Sequence, residues 1–294
     1  MRPQPIVFAA LDGGLQGSAT RSFEEMKPVL EFVKQERIPL ILCSNKTRAE
    51  IELWREKLEV FDPFVSENGG GAFIPYDSIA LHELQTVCPR VQITNGYYVL
   101  VLGIPRAVLA GTLDMIKAEG FEVKGLKDMD VTEVMQRTGL NRPEAARTMR
   151  RDFEEPFLFS SDGNRLKKLL ASIQNKGLQC TPRGPFYHLT GRNDMGKAVA
   201  LLSKLYERRF GSVLSIGIGD SRQHLPMLEK VNAPVLVRNH RGEHDPTLVL
   251  KNLIKVDGVG PAGWGEALAR LCLDTGRPII GSGPRGPVER VGTA

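Results

Sequence analysis

A short apolar run, Ile6-Val7-Phe8-Ala9-Ala10, delivers the chain to a single carboxylate, Asp12, set beside Gly13 and Gly14. A carboxylate in a loop at a strand end can accept backbone hydrogen bonds from that loop. A second polar station, Ser44-Asn45-Lys46-Thr47, follows the apolar run Leu40–Cys43. Hydroxyl and amide side chains there suit the cap of a helix beginning near Thr47, or the binding of an anion at its start. Asp220, in Gly217-Ile218-Gly219-Asp220-Ser221, can cap the following segment or hold a cation. His224 could join it on a softer metal, but a surface position on a helix is the expectation for this histidine. The Gly217/Gly219 pair is too short a motif for a dinucleotide site. Arg147-Thr148-Met149-Arg150-Arg151 gathers positive charge that suits an anion pocket, a solvated helix face, or a surface network with Asp152, Glu154 and Glu155.

The elements that position these stations follow from periodicity. Buried strands at Ile6–Ala10 and Pro39–Cys43 alternate with helices at Ser22–Glu36, with Ser22 as expected N-cap, and at Thr47–Leu58. Val65 to Gly71 reads as a strand end running into a turn. A middle block then mixes strands (Tyr97–Leu102, Pro156–Ser160, Phe186–Leu189) with helices (Arg106–Glu119, Val131–Thr138, Pro143–Arg151, Asn164–Lys176) and predicts an α+β insertion. Alternation resumes with helix Gly196–Arg209, strand Ser212–Gly217, helix Arg222–Val231, strand Pro234–Val237 and helix Gly263–Leu273. The expected architecture is an α/β parallel-sheet core (1–80 and 188–276) carrying a cap (81–187), with a Gly- and Pro-rich disordered tail at 277–294.

Composition narrows the function classes. With 41% apolar and 25% charged residues, the chain of 294 residues has the make-up of an ordinary soluble globular protein. No apolar run approaches the ~18 residues of a membrane span, and no signal-peptide pattern opens the sequence, so the cytoplasm is the expected location. Four scattered cysteines form no CxxC pair, and Cys43 reads as a core thiol. A net charge of +5 with 6% aromatics offers no stacking platform for nucleic acid.

Several strings, taken in order, resemble the mannosyl-3-phosphoglycerate phosphatase family of the haloacid dehalogenase (HAD) superfamily. They are the opening loop, Cys43-Ser44-Asn45-Lys46-Thr47-Arg48-Ala49-Glu50, Ser66-Glu67-Asn68-Gly69-Gly70, Thr138-Gly139-Leu140, Arg151-Asp152-Phe153-Glu154-Glu155-Pro156-Phe157, Arg183-Gly184, Phe186-Tyr187-His188-Leu189 and Gly260-Pro261-Ala262-Gly263-Trp264. The resemblance runs from about Ile6 to Leu273 and implies a Rossmann-like HAD core with an inserted cap. It implies a phosphomonoesterase in which one Asp forms an aspartyl phosphate, a second Asp acts as acid and base, and Mg²⁺ neutralises the transferring group. By the same resemblance Asp12 stands at the acid/base and a metal position, and Ser44 and Asn45 stand at the phosphate loop. Asp220 stands at the main metal position and Arg151 at a cap contact to the ligand.

Five positions depart from the family's pattern. Ala10 stands at the nucleophile and Gly14 at the motif's threonine. Met195 stands at the phosphate-binding lysine, with Lys197 surviving two residues along, and Gln223-His224 replace an Asn-Asp pair. A methyl group cannot attack phosphorus, and lost carboxylates weaken a site for a hard cation. The sequence therefore supports a phosphatase-like protein, acting by resemblance on mannosyl-3-phosphoglycerate or a close relative, with its standard chemistry impaired. The alternative is a non-catalytic binder or sensor of a phosphorylated sugar or glycerate metabolite, or a regulator of a protein partner. Neither nucleic acid nor a membrane is an expected partner.

Overall fold

The computed structural model describes residues 3–11, 19–160 and 163–272. Asp12 to Gly14 and the expected tail at 277–294 lie outside the described residues.

The core is built on strands β1 (Gln4–Ala10), β2 (Leu40–Cys43) and β3 (Phe64–Ser66), with helices α1 (Ala19–Gln35) and α2 (Arg48–Leu58) between them. It continues through β4 (Gly71–Pro75), the short α3 (Leu81–Gln85) and a hairpin of β5 (Val91–Thr94) and β6 (Tyr97–Val101). The chain then forms α4 (Arg106–Ala118), β7 (Val123–Gly125), α5 (Val131–Thr138), α6 (Arg142–Thr148), β8 (Glu154–Phe159), α7 (Gly163–Asn175), β9 (Gln179–Arg183) and β10 (Phe186–Thr190). It returns through α8 (Met195–Phe210), β11 (Val213–Gly219), α9 (Leu225–Leu228), β12 (Ala233–Arg238), β13 (Ile254–Val259) and α10 (Pro261–Cys272).

Among the described residues the strands form two sheets, a nine-stranded one in the order β13-β12-β11-β1-β2-β3-β4-β6-β5 and a four-stranded one in the order β7-β8-β10-β9. Pairing is parallel from β13 to β3 and antiparallel beyond. The central strands are apolar on both faces because helices cover both, as a parallel sheet requires. Val7, Ala9 and Leu42 pack in one cluster with Met26 of α1, Ile51 of α2 and Trp264 of α10. Their neighbours Ile6, Phe8, Ala10 and Ile41 pack on the other face with Val199 and Leu202 of α8 and Met227 of α9.

The second sheet is antiparallel throughout. Phe157 and Leu189 pack on one face against Leu109 and Leu113 of α4 and Leu169 and Ile173 of α7. Phe186 packs with Val134 of α5 and Ala145 of α6. This is the HAD-like arrangement of a parallel-sheet core with an inserted α+β unit.

Several local expectations shift. The hairpin at 91–101 bonds to β4 and extends the large sheet, so a boundary at residue 81 precedes it. Helix α1 already runs from Ala19, which places Ser22 inside it and not at its N-cap. The helix expected from Arg222 is a 3₁₀ turn, Arg222–His224, followed by a single turn of α-helix, Leu225–Leu228.

Candidate functional site

The parallel strands β1, β2 and β11 end together, and the residues that leave them build the site. Ala10 ends β1 opposite Cys43 of β2 and is 3% exposed. From Cys43 the chain turns through Ser44, which is fully buried. Its amide bonds to Val65 O at 3.0 Å, its carbonyl accepts the Asn68 amide at 3.1 Å, and its Oγ accepts the Lys46 amide at 3.0 Å. Of the two readings open to Ser44-Asn45, the helix cap is made instead by Thr47. Its Oγ1 accepts the Glu50 amide, while the Glu50 carboxylate accepts the Thr47 amide in a capping box. Ser44 is thereby left to shape the loop rather than the helix.

At the start of α8, Asp194 caps through the Gly196 amide at 2.9 Å. A side chain at position 196 would meet Pro226 O at 2.3 Å, so glycine lets α8 press against α9. This close approach buries Met195 in the same apolar cluster as Ala10, Cys43 and Val65. Lys197, two residues on, is exposed. The stations at which the resemblance implies a carboxylate and an ammonium are thus held by Ala10 and Met195 within one apolar cluster.

Asp220 and His224 form a buried pair beyond β11, where His224 was expected on a helix surface. The correction has a steric cause. Gly219 leaves room for the imidazole, since a Cβ there would lie 2.7 Å from His224 Cβ. His224 Nδ1 lies 3.2 Å from Asp220 Oδ1, and 3.3 Å from both the Asp220 amide and Ser221 Oγ. Burial raises the Asp220 carboxyl pKa, but bonds with His224 and Ser221 outweigh it and bring the group below its ordinary value. Among the described residues no three His, Cys, Asp or Glu side chains gather into a metal site. The described donor set, one carboxylate facing an imidazole with a methyl group at Ala10, does not fit Mg²⁺, a hard cation that takes oxygen ligands.

The richest polar geometry lies where the inserted unit meets the core. Glu67 and Asn68 both have left-handed backbones, φ 48° and 55°, which turn the Glu67 side chain inward. Glu67 is fully buried, and its two carboxylate oxygens accept the amides of Asp152 at 2.7 Å and Phe153 at 2.9 Å. Burial and the nearby Glu154 charge push its pKa up to about 8, against Arg151 and the two amides. Asn193 Nδ2 donates to both Glu67 O and Phe153 O, tying in the returning strand. Gly70 and Gly71 leave the space that Phe153 fills.

Arg151 donates to Asn45 O at 3.1 Å and to Glu154 Oε2 at 3.0 Å. Glu154, 1% exposed, also receives Arg183 at 2.8 Å, His188 at 3.0 Å and, on its other oxygen, Asn68 at 3.3 Å. Burial opposes its ionisation, but His188, Arg151 and Arg183 prevail and hold it down at about 2. Burial holds the His188 pKa below its ordinary value, with Arg183 and Arg151 acting in the same direction. Glu155 points to the other face of β8, where it accepts Arg106 and the Lys127 amide. A surface network of Arg151 with Glu154 and Glu155 is therefore not what forms, because alternation along a covered strand buries both carboxylates. Further bonds cross the junction from Thr47 Oγ1 to Arg147 O at 3.0 Å and from Thr148 Oγ1 to Glu50 at 2.9 Å. Sequence reasoning placed Glu67 only in a turn and missed Glu154 as the centre of a buried network. A pair of acids inside an apolar, otherwise strand-like segment was the available signal.

Ala10, Ser44, Asn45 and Arg151 are thus joined through short bonds or shared packing around the ends of β1 and β2. Asp220 stands at the end of β11, which pairs with β1. Asp12 lies outside the described residues. No helix among the described residues is long and apolar enough to cross a membrane.

No protein-family model matches the chain. A glucosyl-3-phosphoglycerate/mannosyl-3-phosphoglycerate phosphatase of Methanococcoides burtonii is 39% identical over 269 residues, covering 90% of this chain and 96% of that one. The protein of the same name from Persephonella marina is 33% identical over 268 residues, with coverage of 90% and 96%. Among solved structures, a phosphatase of the HAD superfamily from Bacteroides thetaiotaomicron superimposes with a TM-score of 0.54 at 13% identity, covering 93% of this chain and 95% of that one, a likeness of fold.

Proposed function

The chain belongs to the glucosyl-3-phosphoglycerate/mannosyl-3-phosphoglycerate phosphatase family of the HAD superfamily, and from that premise we propose that it binds a phosphorylated glycosyl glycerate between core and inserted unit without hydrolysing it through an aspartyl phosphate. The observation that carries this reading is the shared apolar packing of Ala10 and Met195. An alkyl side chain has no lone pair for phosphorus, and a buried thioether has no charge for a phosphoryl oxygen. The groups left for the ligand are the loop of Ser44 and Asn45, with Arg151 bonded to that loop. A guanidinium in that setting suits a carboxylate or a phosphate. In this reading the acid/base position that the resemblance gives to Asp12 is kept, while the nucleophile position is Ala10.

Calorimetric titration with glucosyl- and mannosyl-3-phosphoglycerate is expected to show binding, and a phosphate-release assay with the same compounds is expected to show none. Phosphate release by the wild type that is abolished in Asp12→Asn would overturn the loss of chemistry and favour direct activation of water. Activity appearing only in a variant carrying Ala10→Asp, Met195→Lys, Gln223→Asn and His224→Asp would show an intact ligand pocket around a disabled centre.

A further inference from the structure

We infer that strand β5 pairs with β5 of a second copy of this chain, joining two large sheets across a two-fold axis at Ile93; this does not depend on the reading of the cleft. β5 (Val91–Thr94) ends the large sheet, with β6 as its neighbour. Arg90 O accepts the Val101 amide, which fixes the alternation along the strand. Gln92 and Thr94 turn their backbone groups to β6, and Val91 and Ile93 turn theirs outward. Among the described residues no strand lies on that outer side. On the sheet face, the Ile93 side chain is 66% exposed beside Tyr98, its partner in β6. The Tyr98 ring lies 4.8 Å from that of Tyr76, itself 43% exposed. Outward backbone donors and acceptors therefore run alongside an apolar surface.

The other three sheet edges are blocked in ways that β5 is not. β13 carries exposed Lys255 and Asp257 and a shift in register against β12. β7 carries exposed Lys124, and β9 contains Pro182 and Arg183. Charge, proline and irregular pairing keep an edge from accepting another strand. Val91-Gln92-Ile93-Thr94 has neither charge nor proline. Such a strand is its own complement under a two-fold axis, because antiparallel pairing sets each residue against one equally far from the centre. With the axis at Ile93, its N–H and C=O exchange bonds with those of the second copy. The two Ile93 side chains then meet at a Cα spacing of about 5.5 Å. Arg90 faces Gly96 of the other copy, where an added Cβ would meet nothing within 4 Å, so the arginine has room. Asp77 is exposed at that same hairpin end, where the Tyr76 hydroxyl donates to Thr94 O. Each end of the ladder thus brings a guanidinium toward a carboxylate, and this charge complementarity selects a second copy as the occupant.

The test uses the full chain. Sedimentation at about 100 µM, a level that populates even a weak interface, is expected to give a dimer. Ile93→Lys sets two ammonium groups face to face and is expected to weaken that dimer roughly tenfold or more. Its circular dichroism is expected to match the wild type, since Ile93 is exposed. Arg90→Asp is expected to weaken the dimer about threefold, and Asp77→Arg in the same chain to restore it. Under mild oxidation Ile93→Cys is expected to cross-link two chains above the wild-type background. Gln92→Cys, on the opposite face of the strand, is expected to stay at background.

A wild type that stays monomeric at that concentration overturns the inference. Slow deuterium exchange of the Ile93 amide in such a monomer would assign the edge to another part of the same chain. A dimer that Ile93→Lys leaves intact, or that Gln92→Cys cross-links as readily as Ile93→Cys, has its interface elsewhere and overturns the inference as well.

Discussion

The two ends of the cleft are built on opposite principles. Where the inserted unit meets the core, the carboxylates of Glu67 and Glu154 are buried and each meets two or more donors. Where β1 and β11 end, alkyl groups of Ala10 and Met195 fill the space, and the described polar chemistry reduces to the single pair Asp220–His224. Buried charge is stable only when paired and hydrogen-bonded. The junction satisfies that condition by supplying guanidinium groups and amides. The described strand ends reduce buried charge to the one carboxylate of Asp220, beside His224 and Ser221. On the proposed reading, a chain can keep the architecture around a ligand site while the groups that transfer phosphate are replaced, because the two sets of residues are separately stabilised.

The harshest way to break this contrast is Glu154→Ala. It leaves Arg151, 7% exposed, and the neighbouring Arg183 without their carboxylate, while His188 loses its acceptor. Removing one partner of a buried charge network costs about 3–5 kcal/mol, which urea unfolding would register. A loss under about 1 kcal/mol would mean that the junction is not anchored there.

Met195→Lys probes the other end, with an expected cost of about 3 kcal/mol for an unpaired ammonium among apolar side chains. Adding Ala10→Asp is expected to return part of it, a coupling of roughly 0.5–3 kcal/mol in a double-mutant cycle. No coupling would show that the two stations no longer face each other.

Glu67 gives the contrast a pH signature. Its folded pKa is raised from 4.5 to about 8, chiefly by burial. Between those values the folded chain holds a proton that the unfolded chain releases, so stability contributed by this group falls as pH rises through the window. Glu67→Gln is expected to flatten that fall in denaturation measured from pH 5 to 8. It is also expected to cost about 1–3 kcal/mol at pH 5, because its amide nitrogen meets a backbone N–H in place of an acceptor. An unchanged slope would remove Glu67 as its source.

The core was legible in sequence for a physical reason. β1, β2, β11 and β12 are covered on both faces and read as continuous apolar runs. The strands that escaped reading lie at edges or carry turn residues. β9, Gln179–Arg183, is largely exposed and contains Pro182, while β13 alternates with Lys255 and Asp257 and includes Gly258. The departure at Ala10 from the family's pattern was visible because one residue type decides that position's chemistry. His224 was misplaced because its burial depends on Gly219 and on the one-turn α9, neither of which the helical period reveals. Glu154 was read as surface charge because its partners Arg183 and His188 arrive from β9 and β10, about thirty residues later.

Thr47 and Thr148 offer the gentlest test, since each donates one hydroxyl bond across the junction. Thr47 Oγ1 accepts the Glu50 amide and donates to Arg147 O, so Thr47→Ala removes a helix cap and a crossing bond together. About 1–2 kcal/mol is expected, the range of a lost cap, with Thr47→Ser retaining most of it. Thr148→Val removes only the bond to Glu50, whose carboxylate keeps the Thr47 amide through its other oxygen. A hydroxyl bond is worth about 0.5–1.5 kcal/mol, and more to a carboxylate, but Glu50 is only part-buried and keeps its other partner, so a loss of about 1 kcal/mol is expected in thermal or urea unfolding. The order Thr47→Ala above Thr148→Val, with both below Glu154→Ala, follows if charge anchors the junction and the hydroxyls refine it. A Thr148→Val cost equal to that of Glu154→Ala would instead make hydroxyl contacts the anchor and remove the contrast between the satisfied junction and the apolar strand ends.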